Sequence, residues 1–80
     1  MIGDNVTIFQ NVTLGVKVNG EEYSAPIIGN NVVIGAGSCI LGDVKVGNNV
    51  KIGANSVVLT DIPDNCLAVG VPAQIKKRRN

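Results

Sequence analysis

The chain has 80 residues, which allows one small domain, and valine, isoleucine and leucine supply 26 of them. Phe9 and Tyr23 are the only aromatic residues, so the core must be built from branched aliphatic side chains. The net charge of +1 conceals a basic tail at 76–79, because residues 1–75 hold three basic and six acidic side chains. This distribution predicts no nucleic-acid partner. The sequence has no histidine, which excludes a histidine-bound zinc and a Ser-His-Asp triad built from this sequence alone.

No apolar stretch is long enough to cross a bilayer, and the first residues lack the basic and apolar segments of an export signal. Two cysteines, Cys39 and Cys66, are too few for the disulfide framework of a secreted protein. We therefore expect a cytoplasmic protein with reduced cysteines, no membrane association and no metal site.

The dominant pattern is an aliphatic residue at every sixth position, interrupted once. A small or branched residue follows each of these residues after four more positions, from Val6 to Ile62. A period of six fits neither the 3.6 residues of a helical turn nor the alternation of a single strand. The series comprises Ile2, Ile8, Leu14, Ile28, Ile34, Ile40, Val46, Ile52 and Val58. This pattern predicts a solenoid with three short strands per turn, aliphatic residues pointing inward, and glycine or asparagine at the bends.

A longer repeat of 18 residues supports the solenoid, because residues 28–45 align with residues 46–63. The opening residues 2–6 match the same motif 26 positions before Ile28, which corresponds to one repeat plus eight inserted residues. We expect the insertion to leave the solenoid as a loop at about 20–27. The predicted organisation is therefore coils over 1–63 and a C-terminal extension with a basic tail over 64–80. A small β-sandwich would instead space its strands irregularly, by 8–12 residues.

Several segments resemble the hexapeptide-repeat acyltransferases. They are Ile34–Ser38, Ile52–Val58, Asp61–Pro63 and Ala68–Ala73. Phe9–Gly15 is similar to the segment before the active-site loop of serine O-acetyltransferases, and the chain is most similar to the C-terminal part of these enzymes and of related sugar O-acetyltransferases. The resemblance implies an all-β fold, a left-handed parallel β-helix of about three coils with one extruded loop near 16–27. It also implies a homotrimer that transfers an acetyl group from acetyl-CoA to a serine or sugar hydroxyl.

The resemblance implies a cofactor site but no identifiable catalytic residue. Small side chains at Ala36 and Ala54 would let the pantetheine arm of CoA lie close to the strands, with Lys51 facing outward beside Ala54. Relatives contact the nucleotide end of CoA at the positions of Thr60, Gln74 and Lys77.

The histidine bases of the family are absent from the matching positions of this sequence. Members use histidine to accept the proton of the acceptor hydroxyl, one from an upstream turn and another from the position before a proline. Ala25 stands before Pro26 here, and the sequence opens at Met1 within the repeat. We therefore expect a C-terminal or truncated form of such an enzyme, and doubt that this chain alone is active. The alternative hypothesis is a trimeric β-helix scaffold or assembly module without catalysis.

Overall fold

The computed structural model describes residues 2–15, 17–19 and 22–77. In this part of the chain the regular structure consists of short β-strands. They are β1 (Thr7–Ile8), β2 (Thr13–Gly15), β3 (Lys17–Asn19), β4 (Glu22–Ser24), β5 (Ile27–Ile28), β6 (Val33–Ile34), β7 (Cys39–Leu41), β8 (Lys45–Val46), β9 (Lys51–Ile52), β10 (Val57–Val58), β11 (Cys66–Val69) and β12 (Gln74–Lys77). No helix within the described ranges is long and apolar enough to cross a membrane.

The strands form a parallel β-helix with three faces. The first face contains β5 and β8, extended by single bridges from Ile2 to Ile28 and from Val46 to Ile62. The second face contains β1, β6, β9 and β11 in parallel, with β12 added antiparallel at its end. The third face contains β2, β7 and β10 in parallel. Each residue therefore stacks on its equivalent one coil later, which confirms the predicted solenoid.

The core lies on the axis of the coils and is made of the six-residue series. Ile34 and Ile40 are fully buried, and the other members between Ile28 and Val58 are at most 2% exposed. The residues four positions later fill the corners, where Ser38 and Ser56 are as deeply buried as the valines. Ile2 and Ile8 are about half exposed, because no other coil in the described part of the chain covers their outer side. Each of these inward aliphatic positions, which we call rungs, is therefore buried by the stacking of coils and not by the sequence period alone.

Asparagine forms the bends of the coils by adopting the left-handed backbone conformation. Asn31 and Asn49 have φ near +58°, and Asn55 has the same value at another corner. At the neighbouring position of successive coils, side chains form hydrogen bonds to backbone. Asn48 Oδ1 accepts a bond of 2.8 Å from the Asn30 amide, and Asp64 Oδ1 accepts one of 2.7 Å from the Asn48 amide. Asparagine tolerates positive φ at low cost and its side chain bonds to backbone, which explains its abundance here.

The insertion forms an antiparallel hairpin in which β3 pairs with β4. The inserted residues were predicted at about 20–27, within a loop near 16–27. The hairpin strands are Lys17–Asn19 and Glu22–Ser24, inside the loop, whereas Ile27 begins β5 of the next coil. Its position is set by pairing, because Ile27 lies in register with Lys45 and the adjacent Pro26 is buried. The hairpin leaves the coils at the corner between the third and first faces, as a predicted loop outside the solenoid should.

The last coil is shorter than the repeat, and this changes the predicted end of the solenoid. Ile62 was predicted to fill a corner after Val58, whereas it bridges to Val46 and takes an inward rung position 16 residues later. Ala68 likewise pairs with Ile52 and is fully buried. The parallel coils therefore continue to Val69, beyond the boundary predicted at residue 63. The loss of two residues after Val58 breaks the six-residue spacing and hides this continuation in the sequence.

Candidate functional site

The corner between the second and third faces contains the two alanines that the sequence singled out. We call it the alanine corner, formed by residues 35–38 and 53–56. The Asn55 amide donates to the Ala36 carbonyl over 2.9 Å, so the two alanine segments stack in successive coils. Ala36 is half-buried and Ala54 is exposed. The methyl group of Ala54 is therefore small and solvent-facing, and a larger side chain there would extend into the space beside the coils.

Glycine allows the coils to approach closely at the alanine corner. A Cβ atom added to Gly35 would lie 2.6 Å from the Ala54 amide nitrogen and 2.9 Å from its Cα. Gly37 has φ of +74°, and a Cβ there would collide with the Asn55 side chain. Any side chain at Gly35 would push the coils apart, because real Cβ atoms do not make such contacts with backbone. The corner is thus a tight, rigid edge that presents little besides backbone and methyl groups.

A turn at Gly70–Ala73 lies against the third-coil end of the alanine corner. The Val57 amide donates to the Gly70 carbonyl over 3.0 Å, and the Ala73 amide donates to the Val57 carbonyl over 2.8 Å. A third bond of 3.2 Å runs from the Gly70 amide to the hydroxyl oxygen of Ser56. The turn covers the outer edge of β10 and delivers the chain to β12. The terminal motif of the sequence therefore closes the corner and starts the last strand.

Basic side chains lie on the outer surface of the second face. Lys51 is exposed on β9 and lies in register with Leu67 of β11, which in turn pairs with Lys76 of β12. Side chains directly opposite each other in neighbouring strands point to the same side of a sheet. Lys51 and Lys76 therefore project from one surface, with one strand between them, a separation of about 10 Å between backbones. They form a patch of two positive charges next to the alanine corner.

The other predicted contacts of the nucleotide end are distributed over two sides of the molecule. Gln74 pairs with Val69 and shares the outward side of β12 with Lys76. Lys77 pairs with the buried Cys66, so strand alternation places it on the opposite side of β12 from Lys76. Thr60 is exposed after β10, at the corner between the third and first faces from which the hairpin leaves. The structure thus groups Ala36, Ala54, Lys51 and Gln74, and separates Thr60 and Lys77 from them.

Sequence reasoning missed Lys76 as a member of this group. Residues 76–79 were interpreted as a charged tail, whereas Lys76 and Lys77 belong to a paired strand. The alternation of a strand would have put Gln74 and Lys76 on one side and Lys77 on the other, but no pattern in the sequence predicts a strand there. In the described part of the chain, no three His, Cys, Asp or Glu side chains come together as a metal site.

Comparison with known proteins gives both the repeat family and the enzymes that share the fold. Residues 25–60 match the model of the bacterial transferase hexapeptide (six repeats). The chain is 53% identical over 77 residues to serine acetyltransferase of Staphylococcus epidermidis. The alignment covers 96% of this chain and 36% of that protein.

Solved structures of serine acetyltransferases superimpose on the chain. The Brucella abortus enzyme in complex with coenzyme A has a TM-score of 0.87 at 43% identity and covers 95% of this chain and 30% of its own. The Neisseria gonorrhoeae enzyme in complex with serine has a TM-score of 0.82 at 46% identity and covers 91% and 30%.

These matches confirm the resemblance seen in the sequence, and they supply the hand of the helix, which strand pairing alone does not give. The chain spans about a third of the length of the relatives that it matches. The chain is a left-handed parallel β-helix that contains a match to the bacterial transferase hexapeptide model and is similar to the C-terminal part of serine acetyltransferases.

Proposed function

We propose that this β-helix is the acetyl-CoA-binding part of an O-acetyltransferase whose acceptor is the hydroxyl of serine or of a sugar. The observation that carries the proposal is the alanine corner, with a basic patch beside it, in a chain that superimposes on a serine acetyltransferase in complex with coenzyme A. A long, narrow cofactor with one phosphate-rich end needs both features: a smooth edge for the arm and cations for the phosphates.

The pantetheine arm would lie along the alanine corner. Its amide groups need hydrogen-bond partners from backbone, and the small side chains of Ala36 and Ala54 leave that backbone accessible. Close packing at Gly35 keeps the two coils in one fixed arrangement, so the arm meets a preformed surface. Backbone N–H groups near the thioester would stabilise the negative charge that develops on its carbonyl oxygen.

The phosphates of the nucleotide end would bind at the second face. Lys51 and Lys76 project from one surface, and Gln74 beside Lys76 offers an amide that can donate to phosphate or base. Lysine pairs with phosphate through charge-assisted hydrogen bonds, which are shorter and stronger than neutral ones. The contacts predicted for Lys77 and Thr60 stay predictions, since Lys77 points to the other side of β12 and Thr60 lies at another corner.

The reaction is direct attack of the acceptor hydroxyl on the thioester, with CoA thiolate as leaving group. An aliphatic hydroxyl needs a base to take its proton in the transition state. The 80 residues contain no histidine, so the base is not a histidine of this sequence, and Ala25 replaces the residue expected before Pro26. The role that we assign to this chain is therefore to bind and orient the acetyl donor.

We further propose that copies of this chain associate as a trimer through the third face. Its outward side chains come from β2, β7 and β10 and include no charged residue, whereas the first face carries Lys45 and Asp61 and the second carries Lys51 and Lys76. Interface centres are depleted of charge, so the third face is the one best suited to pack against the other copies around a threefold axis. Leu41 and Leu59 are 40% and 54% exposed on this face.

Equilibrium sedimentation tests the trimer, with Leu59→Glu as the disrupting variant and Ile27→Glu as its control. Ile27 is 46% exposed on the first face. Both changes therefore replace an aliphatic side chain of similar exposure in the isolated chain by glutamate. We expect the wild type and the Ile27 variant to sediment as trimers, and the Leu59 variant to dissociate. A wild-type mass equal to one chain would contradict the proposal.

Isothermal titration with CoA tests the binding function. Ala54→Leu should weaken binding by about tenfold or more, because its side chain would occupy the path of the arm. Lys45→Leu places the same side chain on the exposed first face and should leave CoA affinity unchanged. Absence of heat change for the wild type at millimolar CoA would remove the support for an acetyltransferase.

The absence of histidine favours one second candidate, a trimeric β-helix scaffold without catalysis. This candidate predicts trimers that neither bind CoA nor transfer acetyl groups. Measurable acetylation of serine or of a sugar by the purified 80-residue chain would exclude it. The cytoplasmic location expected from the sequence stays a prediction under either candidate.

A further inference from the structure

Two serines at equivalent positions of successive coils make different hydrogen bonds. Ser38 is fully buried and its hydroxyl donates to the Gly53 carbonyl of the next coil over 2.8 Å. Ser56 is 1% exposed, and its hydroxyl oxygen accepts a bond of 3.2 Å from the Gly70 amide. The same side chain thus joins two coils in one case and joins a coil to the terminal turn in the other.

The Gly70–Ala73 turn has only one side-chain anchor among its described bonds. The two bonds to Val57 involve backbone atoms on both sides and are available whatever side chain stands at that position. The Ser56 hydroxyl is therefore the sequence-dependent tie on the turn. Its bond comes from the core side of the alanine corner, since Ser56 follows Ala54 and Asn55 directly. One residue consequently belongs to the corner and holds the turn that leads to β12.

We propose that Ser56 is a positioning residue, whose buried hydroxyl fixes the Gly70–Ala73 turn and through it the placement of Gln74 and Lys76 relative to the alanine corner. This inference rests on the proposed function, in which the corner binds the arm of CoA and the outward side of β12 binds its nucleotide end. A bound phosphate gains from Lys76 only if β12 holds the lysine at a fixed distance from the corner. Ser56 does not touch CoA in this arrangement and acts through the turn.

Burying a hydroxyl in an apolar core costs free energy unless the hydroxyl is hydrogen-bonded. If Ser56 served packing alone, its replacement by alanine would therefore have little effect. Ser38 provides the matched control, because it has the same residue type, burial and corner, and differs in its partner. Ser38→Ala should loosen the contact between two coils and leave the terminal turn in place. Ser56→Ala should free the Gly70 amide and leave the contact of Ser38 with Gly53 intact.

The experiment combines two measurements on the wild type, Ser56→Ala and Ser38→Ala. Amide hydrogen exchange at Gly70 reports the turn directly and needs no ligand. We expect slow exchange in the wild type and in the Ser38 variant, and exchange faster by about tenfold in the Ser56 variant. Titration with CoA should then show affinity lowered by about three- to tenfold in the Ser56 variant relative to the wild type, and unchanged in Lys45→Ala, whose side chain lies on the first face.

The outcomes separate the inference from the function on which it rests. Wild-type protein that does not bind CoA contradicts the proposed function, and fast Gly70 exchange in the wild type contradicts the positioning role independently. Equal CoA affinity of the Ser56→Ala variant and the wild type, with the wild type binding well, overturns the inference alone. If Ser56→Ala fails to fold, Ser56→Cys keeps the volume with a weaker sulfur acceptor, and it should give the same pattern at smaller size.

Discussion

The middle coils and the terminal segment of this β-helix follow different rules. Between Ile28 and Val58 every element repeats after 18 residues, each rung is buried, and each corner has a counterpart one coil away. From Leu59 to Lys77 the coil shortens by two residues, a turn replaces a corner, and an antiparallel strand ends the sheet. The regular part supplies rigidity, whereas the irregular part supplies most of the polar side chains of the candidate site.

The largest expected difference between the two regions is in core stability. Ile34→Ala should lower the free energy of unfolding by about 2–5 kcal/mol, because Ile34 is fully buried and a cavity would remain. Ile75→Ala, in the terminal strand, should cost well under half as much, since Ile75 is 41% exposed. Urea denaturation followed by circular dichroism measures both values. Equal losses would show that β12 is packed as tightly as the coils.

Glycine substitutions should distinguish the regions by a smaller amount. Gly29→Ala puts a Cβ 2.6 Å from Asn48 Oδ1 and 2.8 Å from backbone atoms of Gly47, so the coils must separate, at about 1–3 kcal/mol. Gly70→Ala meets only the Pro72 carbonyl at 3.5 Å, and its cost is the positive φ of +105°, about 1–2 kcal/mol.

Thermal denaturation of these two glycine variants gives the comparison. We expect a larger fall in Tm for Gly29→Ala, and in addition a loss of CoA affinity for Gly70→Ala alone, since only that change disturbs the turn before β12. A Gly29 variant as stable as the wild type would mean that the coils can separate more easily than their spacing indicates.

The smallest expected effect concerns surface charge. Lys51→Ala and Lys76→Ala should each weaken CoA binding by about two- to fivefold, because exposed ion pairs contribute at most about 1 kcal/mol and are screened by salt. Lys45→Ala is the control, since Lys45 is equally exposed on the first face. Titrations at low and high salt should show the difference shrinking as salt rises. A similar loss for Lys45 would indicate general attraction to the chain and not a site at the second face.

The regular coils could be predicted from the sequence because each rung has the same surroundings as the next. A period of six with glycine and asparagine at fixed positions leaves one arrangement in which Ile34, Ile40 and Ile52 all face the axis. The same register predicts that the two alanines lie at equivalent positions of a corner and that Lys51 faces outward beside Ala54, as they do in the structure. The size of the insertion could be predicted. Its hairpin and its bounds could not, because they depend on the pairing of β3 with β4 and of β5 with β8, which no period encodes.

The terminal segment could not be predicted, because its contacts occur once and are not repeated from coil to coil. Shortening by two residues moved Ile62 from a corner to a rung and extended the coils to Val69, since pairing with Val46 and Ile52 outweighed the sequence period. Pairing of β12 with β11 also made a strand of residues whose charge suggests a solvated tail, and only that pairing decides which lysine joins Lys51. Local patterns describe repeated contacts well and single contacts poorly.

Strand β12 also determines how the column can associate. A parallel ladder that ends in an open strand would present donors and acceptors in the register that a further coil, from any copy, needs for continued stacking. On the second face that edge is occupied by a strand of reversed direction, and beside it the Gly70–Ala73 turn already bonds to both polar groups of Val57. A further coil therefore cannot continue the parallel ladder of the second face directly on β11, because β12 already holds that edge.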